Sequence, residues 1–335
     1  MYKAILTGLG GQGLNWVRQV RQRTDVEAVA YVEPFAANRE RAVKQHNVPE
    51  KQIFNSLPEA IKAVKADFVI DVTPPAVHHI VAEQAFNAGL HVLGEKPLSD
   101  DYAIAKKVVE QGKKAGVKHM LAQNYRFNNQ PRTTRKVLSE DLIGKPGQCD
   151  VRFYMPWADA PGSHYVTQPY MVINDMMIHH FDLIRYVLAA DPINVHAITW
   201  NHAWGWHKGD AAHAIVFEFP GGLHATHVTC GCAVGSQTSW NGDWRIEGPK
   251  GSITWDKTGM WLANLHRTQE KVNREIFPLS VPAGQQGILD EFVAALKENR
   301  APECNAEDNI KSVAMVFAAI KSAKEGRRVK LEELA

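Results

Sequence analysis

Continuous apolar runs alternate with amphipathic stretches through the first third of the chain. Runs at residues 4–7, 27–32, 66–72, 90–93 and 118–122 predict strands covered on both faces, because such strands lose the polar alternation of a half-exposed sheet. Helical periodicity fills the gaps at residues 12–21, 39–45, 76–88 and 102–115. In the first of these, Leu14, Val17 and Val20 share one face. Gly89 stands where a helix commonly ends on a left-handed residue. Strand and helix in strict alternation imply parallel strands joined by crossovers, hence a doubly wound α/β sheet.

The rhythm changes after residue 122. Residues 151–154, 195–200 and 214–219 read as strands, and the last meets 223–229 across Pro220-Gly221-Gly222, a hairpin signal. Helices are predicted over 171–189, 288–298 and 307–324, the last with Ile310, Val313, Phe317 and Ile320 in one stripe. The expected organisation is a dinucleotide-type domain over 1–122 and an α+β domain with a largely antiparallel sheet over 123–335. A chain of 335 residues is long enough for two cores.

A net charge of +2 argues against a nucleic-acid surface. No apolar run reaches the ~20 residues of a membrane span, and the first residues pass straight into a strand without a leader pattern. The expectation is a cytoplasmic protein. The four cysteines, Cys149, Cys230, Cys232 and Cys304, form no C-x-x-C pair, so neither a disulfide framework nor a zinc site is expected.

Gly8-Leu9-Gly10-Gly11-Gln12-Gly13 follows the first strand and opens the first helix, the context in which G-x-G-x-x-G carries meaning. Gly8 permits the tight turn, Gly10 lets backbone approach a pyrophosphate, and Gly13 lets the helix pack closely on the strand. Gly11 and Gln12 belong to the helix N-terminus, whose free N–H groups and dipole favour an anion. Glu33 ends the second strand, where a carboxylate accepts hydrogen bonds from ribose hydroxyls and repels a 2′-phosphate. NAD is therefore preferred. Arg39 and Arg41 lie close enough downstream to leave NADP open.

Thr73-Pro74 and Glu95-Lys96-Pro97 follow the third and fourth predicted strands, at the carboxyl ends where open α/β sheets bind ligands. Together with His78 and Asp175-x-x-x-His179-x-x-Asp182, they give a pattern that resembles the Gfo/Idh/MocA oxidoreductases, the glucose-fructose oxidoreductase and inositol dehydrogenase group. Asn124-Tyr125-Arg126-Phe127 and Glu247-Gly248-Pro249-Lys250-Gly251 extend the resemblance over nearly the whole chain. It implies a Rossmann domain followed by a domain with a large open sheet, which often forms dimers or tetramers. It also implies NAD or NADP as cofactor and a sugar, polyol or derivative as substrate. The family's lysine, aspartate and histidine carry over to Lys96, Asp175 and His179. Glycine is usual two residues after this aspartate, where this chain has Met177, and many members have aspartate where this chain has Glu33.

On an unbroken helix Asp175, His179, Asp182 and Tyr186 would share one polar face, opposite Met177, Phe181, Ile184 and Leu188. Bland roles compete: a solvated Asp175, a structural His179, a surface pair of Asp182 with Arg185. The leading expectation is reversible oxidation of a secondary alcohol in a cleft between the domains. His179 takes the hydroxyl proton, Lys96 hydrogen-bonds the reacting or neighbouring oxygen, and Asp175 orients. Thr73, Pro74, His78, Glu95 and Lys96 are candidates for holding the cofactor, and Tyr125 and Arg126 for lining the pocket. Such chemistry needs no metal, and none is expected. Tryptophans crowd the second half from Trp157 onward; Trp206 or Trp240 has the surface to stack on a sugar, although large aromatics more often cover a sheet or fill an interface. Two rivals remain: a glycosidase that uses NAD as a transient redox catalyst, and a non-enzymatic NAD-binding regulator.

Overall fold

The structure is a computed structural model that describes residues 1–156, 166–265, 271–276 and 278–334. Trp157 lies outside the described residues. Internal contacts divide the chain into two units: Met1–Asn124 with Ala283–Ile310, and Tyr125–Pro282 with Lys311–Ala335.

The first unit runs β1 (Tyr2–Thr7), α1 (Gly11–Arg21), β2 (Val26–Val32), α2 (Ala36–His46), β3 (Ile53–Phe54), α3 (Leu57–Ala63), β4 (Phe68–Asp71), α4 (His78–Asn87), β5 (His91–Gly94), α5 (Tyr102–Ala115) and β6 (His119–Leu121). The sheet order is β3-β2-β1-β4-β5-β6, with every neighbour parallel. This is the doubly wound sheet expected from the apolar runs. Ala4, Ile5, Leu6, Phe68, Val69 and Ile70 are almost wholly buried, as a strand with helices on both faces must be. The order reverses between β1 and β4, the switch point at which such sheets open a ligand crevice.

The short elements β3 and α3 were not foreseen. Two residues of strand have no readable period. The helix α3 starts on a local signal instead: Ser56 Oγ accepts from Glu59 N, and Glu59 Oε2 accepts from Asn55 N, close to a capping box.

A single cut near residue 122 does not describe the chain, because residues 283–310 group with the first unit. The helix Gly284–Lys297 brings Phe292 edge-on to Phe68 at 5.1 Å, and Cys304 O accepts from Leu121 N at 2.9 Å. Both contacts join strands of the early chain to segments far away in sequence, which no local pattern announces.

The second unit contains α6 (Asn129–Ser139), β7 (Gln148–Tyr154), α7 (Met171–Asp175), α8 (Met177–Leu188), β8 (Asn194–Trp200), β9 (Ala212–Glu218), β10 (His224–Cys230), β11 (Asp243–Gly248), β12 (Gly251–Trp255), β13 (Met260–Leu265), β14 (Lys271–Glu275) and β15 (Val329–Lys330). Its nine-stranded sheet has the order β14-β13-β12-β11-β7-β10-β9-β8-β15. The expected hairpin joins β9 and β10 across Pro220–Gly222. All pairs are antiparallel except β7 with β10. One face packs on α8, through Phe181 against Phe217 at 4.8 Å and His180 against Phe153 at 4.8 Å. The other face leaves Ile198 and Val216 exposed.

Residues 171–189 do not form one continuous helix. The turn at Met176 (φ −97°, ψ −36°) separates α7 from α8. Nor does α8 have a solvent face: every residue from Met177 to Val187 is buried.

Candidate active site

In the first unit the glycine turn does what its spacing predicts. Gly8 has φ 85°, and a Cβ there would lie 2.6 Å from Val72 O. A Cβ on Gly13 would lie 1.9 Å from Gly8 O, so only glycine lets α1 start against β1. Gly10 and Gly11 differ, because a Cβ on either meets nothing within 4 Å. Space is thus left open at the N-terminus of α1, the side from which a pyrophosphate would approach.

Glu33 closes this turn from β2 and is 3% exposed. Its Oε2 accepts from Leu9 N at 2.8 Å and Asn38 Nδ2 at 3.2 Å, and its Oε1 accepts from Phe35 N at 3.0 Å. The carboxylate pins the glycine turn while keeping acceptor capacity for ribose hydroxyls. Arg39 is committed to backbone: Nε donates to Glu33 O at 2.5 Å and Nη2 to Pro34 O at 3.0 Å, and it also reaches Asn55. Arg41 donates to Leu9 O and Asn38 Oδ1, both at 3.3 Å.

The lysine turn is tied to α1. Glu95 Oε1 accepts from Trp16 Nε1 at 2.7 Å and Gln12 Nε2 at 3.0 Å, while Glu95 Oε2 accepts from Lys96 N at 3.3 Å. Lys96 is half-buried and joined to Pro97 by a cis peptide. His78 lies beside this turn with both ring nitrogens engaged, Nδ1 at 2.8 Å from Pro97 O and Nε2 at 2.7 Å from Thr73 O. It therefore braces the loops that carry Thr73-Pro74 and Lys96. Asp71, at the end of β4, accepts from Thr73 N, Thr73 Oγ1 and Thr7 Oγ1. Burial raises its pKa above the ordinary carboxylate value.

Three residues of this unit were not singled out from sequence. Trp16 read only as part of a helix, and Asp71 as part of an apolar strand. Gln123, just beyond β6, is 1% exposed, and neither Oε1 nor Nε2 has a protein partner among the described residues. A buried amide left unpaired costs about 1–3 kcal/mol. The open glycine turn and the acid at the end of β2 fit a dinucleotide.

In the second unit Tyr125 stacks on His179, with centroids 4.3 Å apart and planes at 11°. Burial, and secondarily the Asp175 carboxylate, pushes the Tyr125 hydroxyl well above its usual pKa, so it remains a neutral hydroxyl. Asp175 is half-buried at the end of α7. Arg126, expected to line a pocket, is buried in a two-pronged pair with Asp182: Nε to Oδ2 at 2.5 Å and Nη2 to Oδ1 at 2.7 Å. Ser312 Oγ donates to Asp182 Oδ1 at 2.8 Å. Arg185 pairs with Asp191 at 2.7 Å, and Asp182 and Arg185 are both buried, at 1% and 5% exposed, so neither stands in a surface pair. Trp240 is 48% exposed, and Trp206 stacks on His207 at 3.9 Å.

The fold and the glycine turn define a nicotinamide-type oxidoreductase scaffold, and comparison with known proteins makes this specific. Residues 2–123 match the family model of the oxidoreductase family with NAD-binding Rossmann fold, and residues 131–254 match the GFO/IDH/MocA C-terminal domain. The chain belongs to the Gfo/Idh/MocA oxidoreductase family. It is similar to the myo-inositol 2-dehydrogenase of Thermotoga maritima, 27% identical with 98% of each chain covered. It is also similar to the D-apiose dehydrogenase of Paraburkholderia graminis, 24% identical over 99% of this chain and 90% of that one. Among solved structures, an oxidoreductase from Agrobacterium radiobacter, in complex with NAD+, L-tartaric acid and magnesium, superposes with a TM-score of 0.89. It is 19% identical, with 100% of this chain and 99% of that one covered. No described helix is long and apolar enough to cross a membrane.

Proposed function

We propose that this protein is a cytoplasmic dehydrogenase or reductase that interconverts a secondary alcohol and a ketone on a sugar, polyol or sugar derivative. The observation that carries the reading is the first unit's cofactor-ready turn. Open glycines, a buried acid and a lysine turn locked to the same helix stand in a chain that also retains Asp175 and His179. Curated relatives acting on inositol and apiose support the substrate class.

Gly8, Gly10, Gly11, Gln12 and Gly13 would hold the pyrophosphate and Glu33 the ribose, with Thr73, Pro74 and Glu95 beside them. When bound, the nicotinamide supplies or accepts the hydride. His179 takes the hydroxyl proton as the C–H bond breaks and the carbonyl forms, and returns it in the reverse direction. Stacking on Tyr125 fixes the plane of that imidazole. Lys96 stabilises the charge that builds on the reacting oxygen, and Asp175 orients the substrate. His78 acts by holding the Lys96 turn. NAD is favoured over NADP, because Glu33 would repel a 2′-phosphate and Arg39 is already spent on backbone carbonyls. Exposed Ile198 and Val216 on the open sheet face support a homodimer or homotetramer built on that face.

The test follows NADH absorbance as the purified chain meets inositols, aldoses, glycosides and anhydrosugars, with NAD and NADP in parallel. Turnover of a cyclic polyol or sugar with NAD is expected, and His179→Ala lowers kcat by roughly 10²–10⁴ while NAD binding persists. Full turnover in Lys96→Ala removes that residue from the mechanism. A tenfold preference for NADP overturns the Glu33 argument. Cleavage of a glycoside without net NADH replaces the dehydrogenase reading by transient-redox hydrolysis. Bound NAD with no turnover on the panel leaves a regulator.

A further inference from the structure

Cys230 ends β10, and Cys232 follows after one residue, bridged to Pro156. Both are more than nine-tenths buried. Their Sγ atoms lie 3.9 Å apart, and a ring nitrogen of His202, from the loop after β8, completes a group in which all three donor atoms fall within 4.8 Å of one another. We infer that His202, Cys230 and Cys232 form a binding site for a thiolate-preferring divalent cation of the zinc class. This inference does not depend on the proposed hydride transfer.

The geometry separates the cation from the obvious rival, a disulfide. Bonded sulfurs stand ~2.05 Å apart. Two thiolates on one tetrahedral zinc, each at ~2.3 Å, stand ~3.8 Å apart, and the observed 3.9 Å is close to that. A disulfide also gives no role to a histidine. Trp200 Nε1 donates to His202 Nε2 at 3.3 Å, a long hydrogen bond that a cation on that nitrogen would replace. His202 further stacks on Trp204 at 4.3 Å and 14°, and Trp204 Nε1 donates to Cys232 O at 3.0 Å. One indole thus fixes the position of two of the three ligands, as outer partners of metal sites commonly do. Imidazole with two thiolates selects zinc or its spectroscopic substitute cobalt over magnesium or calcium, which take oxygen ligands. Three protein ligands leave one tetrahedral position for water.

The expectation drawn from sequence, that no zinc site exists, rested on the absence of C-x-x-C spacing. C-x-x-C spacing would not reveal a site of this kind, because the third donor comes from a different loop and the two cysteines are one residue apart at the end of β10.

The full-length chain, reduced and stripped with chelator, would be titrated with cobalt(II) alone. The inference requires a thiolate-to-cobalt charge-transfer band that saturates at one equivalent and is displaced by zinc. Cys232→Ser and His202→Ala should each weaken cobalt binding by about tenfold or more, with circular dichroism unchanged. A folded wild-type chain that gives no such band overturns the site without recourse to any variant. Binding of equal strength in both variants overturns it as well. So does a Cys230–Cys232 disulfide, seen by mass spectrometry, with no metal uptake after reduction.

Discussion

The two units handle polar side chains in opposite ways. The first places them at strand ends and at a helix start, where Glu33, Glu95 and His78 hydrogen-bond loop backbone. The second puts them in its core. His213 Nε2 lies 2.9 Å from His227 Nδ1, His227 Nε2 lies 3.0 Å from His180 Nδ1, and His180 Nε2 lies 3.0 Å from Trp240 O. Three neutral imidazoles satisfy this chain, each donating to the next with the last donating to the carbonyl. Backbone-directed polar groups shape a binding surface, whereas a closed side-chain network specifies one packing of the sheet on α8.

The largest expected effect comes from acid. Burial lowers His180 to about 4 and His213 to about 3, and pushes His227 well below its usual value. An unfolded histidine binds its proton near pH 6.5, so between pH 6.5 and 4 the unfolded chain takes up protons that the folded chain refuses. Stability is complete above that window and falls as pH drops through it, by roughly 3 kcal/mol for His180 alone. The first unit carries one comparable group, His119, lowered to about 3. Hydrogen exchange followed by mass spectrometry should therefore show β8–β10 losing protection before β1 and β4 as pH falls to 4. Equal loss in both sheets would break the contrast.

Arg126→Ala tests the same idea with one charge. Its removal takes the Arg126 guanidinium from Asp182, which is 1% exposed, and breaking a buried ion pair in this way typically costs about 3–5 kcal/mol. Urea denaturation should show this loss, and Arg126→Met combined with Asp182→Leu should recover most of it. A loss under 1 kcal/mol would place the pair in contact with water.

This division also decides what could be read from sequence. The glycine turn, Glu33 and the lysine turn are contiguous motifs whose partners lie on adjoining strands, and the apolar runs place those strands. The 171–189 region was legible as helix but not as to its faces. Asp182 and Arg185 have the spacing of a solvated face, yet their partners Arg126, Ser312 and Asp191 come from other elements. The period of a helix states which residues share a face, not whether that face meets water. The spacing from Asp175 to His179 crosses the turn at Met176, so an unbroken helical period is not what relates the two, yet both side chains act on Tyr125. Gln123 was invisible for a related reason, since what marks it is the lack of a side-chain partner among the described residues.

The smallest change in stability should come from Gly10→Ala, and its comparison with Gly13→Ala sharpens the account of the first unit. At Gly13 the added Cβ meets backbone at 1.9 Å. The helix α1 must move, at a cost of roughly 1–3 kcal/mol or more. At Gly10 the Cβ enters open space and φ is −64°, so the fold should change by less than about 0.5 kcal/mol. The same methyl would occupy the gap reserved for the pyrophosphate, and NAD affinity should fall at least tenfold, about 1.4 kcal/mol. Thermal denaturation with and without NAD separates the two. Gly13→Ala lowers the midpoint in both conditions, whereas Gly10→Ala keeps the ligand-free midpoint and loses the rise that NAD produces. If Gly10→Ala keeps that rise, the cofactor does not approach α1 over Gly10, and the open space there has another purpose.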